Sequence, residues 1–325
     1  MSFRVINAEL SRELLPMAAC VEVMKAAMLA ASEGSADQPP RLITPLAQAR
    51  AWLALMPGMS TDLGAYGAKI VGLHPANPAQ GLPAIQGFIC LFDLETGKPV
   101  GLVDGAVTTA IRTAAASALA TQYLAREDAV SCGIFGTGVQ AMAHVEAMLS
   151  VRKLQQCVIW GRDVNKAQAL SSQLATRFQL PCHAVSEPEQ AAACDIICTV
   201  TGSSEPVLKG EWVQPGSHIN LVGAHSLTTR EADTSLVAKA AVYVDSLTST
   251  HNEGGDIMIP LQEGAIEKTH IIGEIGSLLR GACTGRQQAS DITLYNSLGI
   301  TAQDLYAAHY IITQAEKAKV GLVVD

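Results

Sequence analysis

The chain has 325 residues, of which 49% are hydrophobic, 16% charged and 4% aromatic, and its formal net charge at pH 7 is −8. This length and composition predict a globular chain with two domains. The acidic balance disfavours nucleic acid as a partner. Prolines and polar residues interrupt the longest uncharged run, 70–92, and charged residues interrupt the apolar residues of the N-terminus. We therefore expect no membrane span, no secretory signal and a cytoplasmic location.

The first part of the chain has the pattern of a mixed α+β domain. Apolar residues recur at helical spacing over 7–33 and stop at Gly34, which predicts one helix. Short β-like runs separated by Gly, Pro and Asp follow between residues 41 and 103 and predict an antiparallel sheet. Residues 106–125 contain many Ala and Thr, no Gly or Pro and one charge, which predicts a helix of small residues.

After residue 126, short apolar runs alternate with helical patterns. This alternation indicates βαβ units and a Rossmann-type doubly wound parallel sheet. The tail at 301–318 is amphipathic, and its opening Thr301-Ala-Gln-Asp304 fits a variant of the capping box. The predicted fold class is α/β with a second, mixed α+β domain. We place one domain at 1–125 together with 300–325, and the other at 126–299.

A glycine fingerprint follows the first strand of the second domain. The string Gly136-Thr137-Gly138-Val139-Gln140-Ala141 lies between an apolar run and a helical pattern. In this context the first glycine permits a tight turn, the second lets the backbone approach a pyrophosphate, and the alanine allows close packing of helix on sheet. We interpret the segment as a dinucleotide site. The alternative is a glycine turn that binds no nucleotide.

The end of the next strand bears on which dinucleotide is preferred. An acidic residue there usually accepts hydrogen bonds from the ribose of NAD, but this chain has Arg162 followed by Asp163. A guanidinium suits a 2′-phosphate, which favours NADPH. Asp163 could restore the use of NADH, and Arg162 could instead be a turn residue that faces solvent.

Arg112 is the only charged residue between Asp104 and Arg126. A desolvated, unpaired charge costs several kcal/mol, so this guanidinium needs an anion. The anion is either a ligand carboxylate or phosphate, or an acid of the protein such as Asp104. Two other cations, Arg41 and Lys69, are weaker signals by themselves.

The eight cysteines are scattered and predict free thiols. Cys194 and Cys198 have no second pair at zinc spacing. We therefore expect no metal site.

Several segments together resemble a known family, the ornithine cyclodeaminase/μ-crystallin family, over nearly the whole chain. They are 104–120, 136–141, 222–226 with Arg230-Glu231, 273–275, and 284–299. The resemblance implies that Arg41, Lys69 and Arg112 surround the carboxylate of an amino or imino acid. It also implies that Thr201 and the segment 296–298, which includes Ser297, lie near the nicotinamide ribose. A homodimer built through the mixed N-terminal domain is implied as well.

The chain departs from the cyclodeaminases of this family at two positions. His225 stands where they have an Asp, and Ala84 where they have a Thr. Both changes disfavour ammonia loss but leave a pocket for a preformed cyclic imine. His225 follows a strand and could donate a proton or simply shape the pocket. The proton for the imine nitrogen could come from Lys69, His225 or water.

The sequence thus predicts an NAD(P)H-dependent imine reductase, with catalytic residues Lys69, Arg112 and His225. Its expected substrates are small cyclic ketimine carboxylates, 1-pyrroline-2-carboxylate to L-proline and the six-membered homologue to pipecolate. Two alternatives remain. One is ornithine cyclodeaminase or amino-acid dehydrogenase activity, and the other is a non-catalytic NADP-dependent binding protein.

Overall fold

The computed structural model describes residues 2–325 and divides into two compact units. Unit 1 ends at Arg112 and resumes over Ile300–Asp325, and unit 2 is Thr113–Gly299. The first division lies inside the alanine-rich helix, whereas the sequence-based boundary at residue 125 lies at the end of that helix.

The strands alternate with helices in the second half of the chain only. In chain order the first strands are β1 (Phe3–Ile6), β2 (Ala36–Asp37), β3 (Leu42–Leu46), β4 (Ala51–Ser60), β5 (Ala65–Leu73), β6 (Ile85–Asp93), β7 (Pro99–Asp104) and β8 (Ser131–Phe135). They are followed by β9 (Gln156–Trp160), β10 (Cys182–Val185), β11 (Ile196–Thr199), β12 (His218–Leu221), β13 (Ala241–Val244), β14 (Ile271–Glu274), β15 (Thr293–Asn296) and β16 (Leu322–Val324).

The helices range from one turn to five. They begin with α1 (Ala8–Leu14), α2 (Met17–Glu33), α3 (Gly105–Leu124), α4 (Val139–Val151), α5 (Val164–Phe178) and α6 (Pro188–Ala192). The rest are α7 (Thr234–Lys239), α8 (Leu247–Glu253), α9 (Gly255–Gln262), α10 (Ile275–Leu279) and α11 (Thr301–Ala318). The single helix predicted over 7–33 is wrong, because Pro16 caps α2 and separates it from α1.

Unit 1 is built on one mixed sheet. Its strand order is β16-β1-β7-β6-β5-β4-β2, with β3 paired to β4. All pairs are antiparallel except β1 with β7. Helix α11 packs on α2 and on β4, β5 and β6, so the C-terminal tail covers the middle of this sheet. The strand β16 closes the edge by pairing with β1.

Unit 2 is a parallel sheet with the order β10-β9-β8-β11-β12-β15-β13-β14. Every pair in it is parallel, which confirms the predicted doubly wound sheet. Its buried strands read as apolar runs because both faces of a parallel sheet are covered. The strand order reverses between β8 and β11, and ligands of such sheets bind at the carboxyl ends of the strands beside this reversal.

Across residues 2–325, no single helix is long and apolar enough to cross a membrane. The consecutive helices α1 and α2, bent by 84°, meet the length and composition criteria only when taken together.

Candidate functional site

The first candidate site lies in unit 1, on the face of the sheet that α11 covers. Along β5 the buried residues alternate, and Lys69 falls in the buried register between Gly67 and Val71. The whole residue is 3% exposed. A lysine at such a position requires a partner, since burying an ammonium group alone is costly.

That partner is Asp304, in the first turn of α11. Lys69 Nζ lies 2.8 Å from Asp304 Oδ2, and Arg112 Nε donates to Asp304 Oδ1 at 2.8 Å. Arg112 Nη1 donates to Gln303 Oε1 at 2.7 Å. The carboxylate of Asp304 thus bridges Lys69 and Arg112, and the side-chain amide of the neighbouring Gln303 also binds Arg112.

This arrangement corrects one expectation from the sequence and answers a question that the sequence left open. Thr301 and Asp304 do not form a capping box: the cap residue of α11 is Ile300, and it makes no side-chain capping bond. The acid of the protein that pairs with Arg112 is Asp304 rather than Asp104, whose Oδ1 accepts from the Val107 amide at the start of α3. Of the two anions that the sequence left open for Arg112, the protein itself supplies one.

Arg41, Lys69 and Arg112 form a cation cluster, in which Lys69 and Arg112 share the carboxylate of Asp304. One carboxylate does not balance both of these cations when Lys69 is protonated. Arg41 is close enough to Lys69 to lower its pKa. Burial raises the pKa of Asp304, but Arg112 and Lys69 outweigh it and leave that pKa below its ordinary value, so the carboxyl is ionised. Burial, followed by the charge of Arg112, lowers the pKa of Lys69 to about 7. Such a cluster attracts an anion and contains a group that exchanges a proton near neutral pH.

The second candidate site lies in unit 2, at the carboxyl edge of the parallel sheet. Gly136 directly follows β8 and has φ +126, and a Cβ there would lie 2.8 Å from Val200 O. Only glycine therefore fits this turn. Gly138 is the cap of α4, and a Cβ on it would meet nothing within 4 Å. The space beside Gly138 and the uncapped amides of α4 match what a pyrophosphate needs.

Of the other predicted fingerprint residues, Thr137 lies in this turn, and Val139 and Gln140 begin α4. Thr137 packs so closely under Gly161, after β9, that a Cβ there would lie 2.7 Å from its Cγ2. Val139 is 72% exposed at the first turn of α4. The Gln140 carbonyl accepts from the buried His144, and its side-chain Oε1 is buried without a hydrogen-bond partner among the residues that the structure describes.

Polar atoms that lack partners support binding of a ligand at this edge. Asn296 ends β15, Ser297 follows it, and each is 1% exposed. Among the described residues 2–325, neither Asn296 Oδ1 nor Ser297 Oγ has a hydrogen-bond partner. Buried polar atoms are normally satisfied. A dinucleotide, with its ribose hydroxyls and carboxamide, fits these atoms and the space beside Gly138.

Sequence reasoning missed the residue that organises this edge, Glu231. Its carboxylate accepts from Thr199 Oγ1 (2.7 Å), from Thr201 N and Oγ1 (2.7 and 2.6 Å) and from Gly223 N (2.6 Å). It therefore ties the loop after β11 to the loop after β12. The predicted residue Thr201 is held by this carboxylate. The only signal for Glu231 in the sequence was its place beside Arg230 in a family-like segment.

A second carboxyl group lies behind Glu231. Asp256 Oδ1 accepts from the amides of Glu231 and Ala232 at 2.8 and 2.9 Å. Burial, and then the charge of Glu231, raise the pKa of Asp256 to about 7. Burial likewise raises the pKa of Glu231, although its four hydrogen bonds oppose this.

The remaining predicted residues also follow strands of this sheet. Arg162 is exposed after β9. The neighbouring Asp163 caps α5, since its Oδ1 accepts from the amides of Asn165 and Lys166 at 3.0 and 3.3 Å. His225 is exposed on the loop after β12. Because the strands are parallel, Gly136, Arg162, Thr201, His225 and Ser297 all lie at one edge of unit 2.

The fold and this edge define a dinucleotide-binding protein of the Rossmann type, whose other unit contains two buried cations, Lys69 and Arg112, that share one carboxylate. The model of the ornithine cyclodeaminase/mu-crystallin family matches residues 5–319. The chain belongs to this family.

Three similar proteins have related activities. The chain is 34% identical to the Delta(1)-pyrroline-2-carboxylate reductase of Bacillus cereus, over 99% of both chains. It resembles the structure of the Thermococcus litoralis Delta(1)-pyrroline-2-carboxylate reductase in complex with NADH and L-proline, with a TM-score of 0.95, 33% identity and coverage of 98% and 99%. An archaeal alanine dehydrogenase dimer with bound NAD has a TM-score of 0.93, 29% identity and coverage of 100% and 99%.

Proposed function

We propose that the protein is an NAD(P)H-dependent reductase of small cyclic ketimine carboxylates, which converts 1-pyrroline-2-carboxylate to L-proline. The observation that carries this proposal is the cation cluster, in which two buried cations, Lys69 and Arg112, share the single carboxylate of Asp304. Reductases of this imine are among the similar proteins at full coverage. The six-membered homologue, reduced to L-pipecolate, is the second candidate substrate.

Each cation of the cluster has a part in the reaction. Arg112 uses Nε for Asp304 and Nη1 for Gln303, and neither of these bonds engages its Nη2. This nitrogen and Arg41 bind the substrate carboxylate through charge-assisted hydrogen bonds. A reduced nicotinamide dinucleotide, when bound, supplies the hydride that adds to the imine carbon.

Lys69 is the proton donor that the structure favours. Its ammonium group gives one proton to the imine nitrogen as the hydride reaches carbon, and the neutral amine then regains a proton from water. A pKa of about 7 suits this role, since the group can both give and recover a proton near neutral pH. His225, the other predicted side-chain donor, lies exposed on the loop after β12 in unit 2.

We propose NADPH as the preferred cofactor. Arg162 is exposed at the end of β9, where the 2′-phosphate of a dinucleotide would be recognised. Asp163, the residue that could favour NADH, uses Oδ1 to cap α5. The similar structures contain NADH or NAD, so the proposal of NADPH rests on Arg162 and Asp163 of this chain.

We also propose a homodimer formed through unit 1. Its mixed sheet exposes large apolar side chains on β3, β4 and β6, which are Leu42, Ile43, Leu46, Trp52, Leu53 and Phe88. Apolar side chains clustered on one exposed region mark protein interfaces. The similar archaeal alanine dehydrogenase is a dimer.

The similarity of this chain to the archaeal alanine dehydrogenase makes amino-acid dehydrogenation the second candidate function. Imine reduction and amino-acid dehydrogenation are distinguished by measuring NADPH oxidation with 1-pyrroline-2-carboxylate, with its six-membered homologue, and with pyruvate plus ammonia. Release of ammonia from ornithine is the control for cyclodeaminase activity. We expect turnover with the cyclic imines alone. Turnover only with pyruvate and ammonia, or NADPH binding without oxidation on any imine, would contradict the proposal.

A further inference from the structure

We propose that Asp304 is a positioning residue for the reduction. Its carboxylate holds the ammonium group of Lys69 in place for proton delivery and fixes the orientation of Arg112 toward the substrate carboxylate. This inference rests on the proposed function, and it assigns a task to a residue whose sequence pattern indicated only a helix cap.

The first support is geometric. Each oxygen of Asp304 serves one cation: Oδ2 lies 2.8 Å from Lys69 Nζ and Oδ1 accepts from Arg112 Nε at 2.8 Å. The carboxylate is fully buried, and its two partners are 4% and 5% exposed in their side chains. An ion pair in such surroundings is screened little by solvent, so its geometry is well defined.

The second support comes from Gln303, the residue before Asp304 on α11. Its Oε1 accepts from Arg112 Nη1, while its Nε2 lies 3.9 Å from the sulfur of Met28 on α2. Two consecutive residues of α11 therefore hold two of the three guanidinium nitrogens. The third nitrogen, Nη2, is the one left for the carboxylate of a substrate. The first turn of α11 thus fixes the orientation of the Arg112 guanidinium group.

The third support is the balance of charge around Lys69. The groups that act on it are Arg112 from α3, Arg41 before β3 and Asp304 from α11. Burial and both arginines lower the pKa of Lys69, and Asp304 alone raises it. Cys20 of α2 also lies within the field of Arg112, but burial raises the pKa of its thiol, so it stays neutral. Without Asp304, Lys69 would be largely deprotonated at neutral pH and could not donate.

These contacts predict an unusual kinetic signature for Asp304→Asn. Because protonated Lys69 is the donor, kcat/KM is high below the pKa of Lys69 and falls above it. Loss of the carboxylate lowers that pKa further. In a plot of kcat/KM against pH, we therefore expect the falling limb, where kcat/KM decreases with pH, to move to lower pH by about one unit. This shift reduces kcat/KM about tenfold at about pH 8. The KM for the imine should change little, since the amide oxygen that this variant retains can still accept from Arg112 Nε and keep its orientation.

A residue with a merely structural role would produce a different result. If Asp304→Asn only displaced Arg112, KM would rise and the pH at which kcat/KM falls would stay unchanged.

The matched control is Glu316→Gln, which removes an exposed carboxylate from the same helix. This variant should leave KM and the pH at which kcat/KM falls as in the wild type. A falling limb that stays at the wild-type pH, or a loss that appears only in KM, would overturn the proposal.

A second variant covers the case in which Asp304→Asn does not fold. Gln303→Glu places an additional carboxylate beside Arg112 and should move the falling limb toward alkaline pH, opposite to the first variant. No shift, or a shift toward acid, would overturn the proposal. If the folded wild type reduces none of the cyclic imines, the proposed function fails and this inference with it. If the wild type turns over but neither variant shifts the limb, only the role of Asp304 fails.

Discussion

Substitution of Arg112 by alanine tests the carboxylate site. The guanidinium is 4% exposed, and two of its nitrogens are engaged by Asp304 and Gln303. Its loss removes a charge-assisted hydrogen bond to the substrate, worth about 1.5–3 kcal/mol. This corresponds to a decrease of roughly 10- to 150-fold in kcat/KM for 1-pyrroline-2-carboxylate.

The assay is the initial rate of NADPH oxidation over a range of imine concentrations, after thermal unfolding has shown that the variant folds. Asp304 keeps Lys69 as a partner in this variant, so one buried ion pair survives. Removal of Arg112 also removes a charge that lowers the pKa of Lys69, so the fall of kcat/KM with pH should begin at a higher pH. Arg12→Ala, at an exposed position of α1, is the matched control and should behave as the wild type. A kcat/KM close to that of the wild type in Arg112→Ala would refute the reasoning.

Three further predictions concern the cofactor, the dimer and the buried acids. Arg162→Ala should decrease kcat/KM for NADPH at least about tenfold and leave that for NADH nearly unchanged, and equal losses would contradict the assignment. Leu53→Glu should convert a dimer to a monomer in light scattering, whereas Leu322→Glu, at the opposite edge of the same sheet, should not. The raised pKa of Asp256 means that the folded state holds its proton more tightly than the unfolded state does, so stability is lost as the pH rises from about 4 to about 7. Asp256→Asn keeps the acceptor for the Glu231 amide and should therefore raise the melting temperature more at about pH 8 than at about pH 5. An equal effect at both pH values would contradict the raised pKa.

The elements that local patterns specify agree closely with the structure. The amphipathic period over 301–318 predicted the bounds of α11, and the alternation of apolar runs with helices predicted the parallel sheet. The fingerprint at Gly136 required only neighbouring residues, because a turn between a strand and a helix is a local feature. The break at Pro16 was also visible locally, but the continuous apolar period on both sides of it favoured a single helix.

The parts that were missed depend on contacts between residues far apart in the chain. Asp304 lies in the first turn of a helix, where an acidic residue usually serves as a cap or complements the helix dipole. Nothing local shows that Lys69 and Arg112 meet it, because the three residues come from a strand and two helices. Glu231 shows the same limit, since its four donors belong to two strand ends that only the folded sheet brings together.

In the proposed reaction, the cation cluster selects the imine through its carboxylate. The most direct measurement compares kcat/KM for 1-pyrroline-2-carboxylate with that for 1-pyrroline, which lacks the carboxylate, in the wild type and in Arg112→Ala. We expect a strong preference for the carboxylated imine in the wild type, and loss of most of that preference in the variant. Equal reduction of both imines by the wild type, or an undiminished preference in the variant, would contradict it.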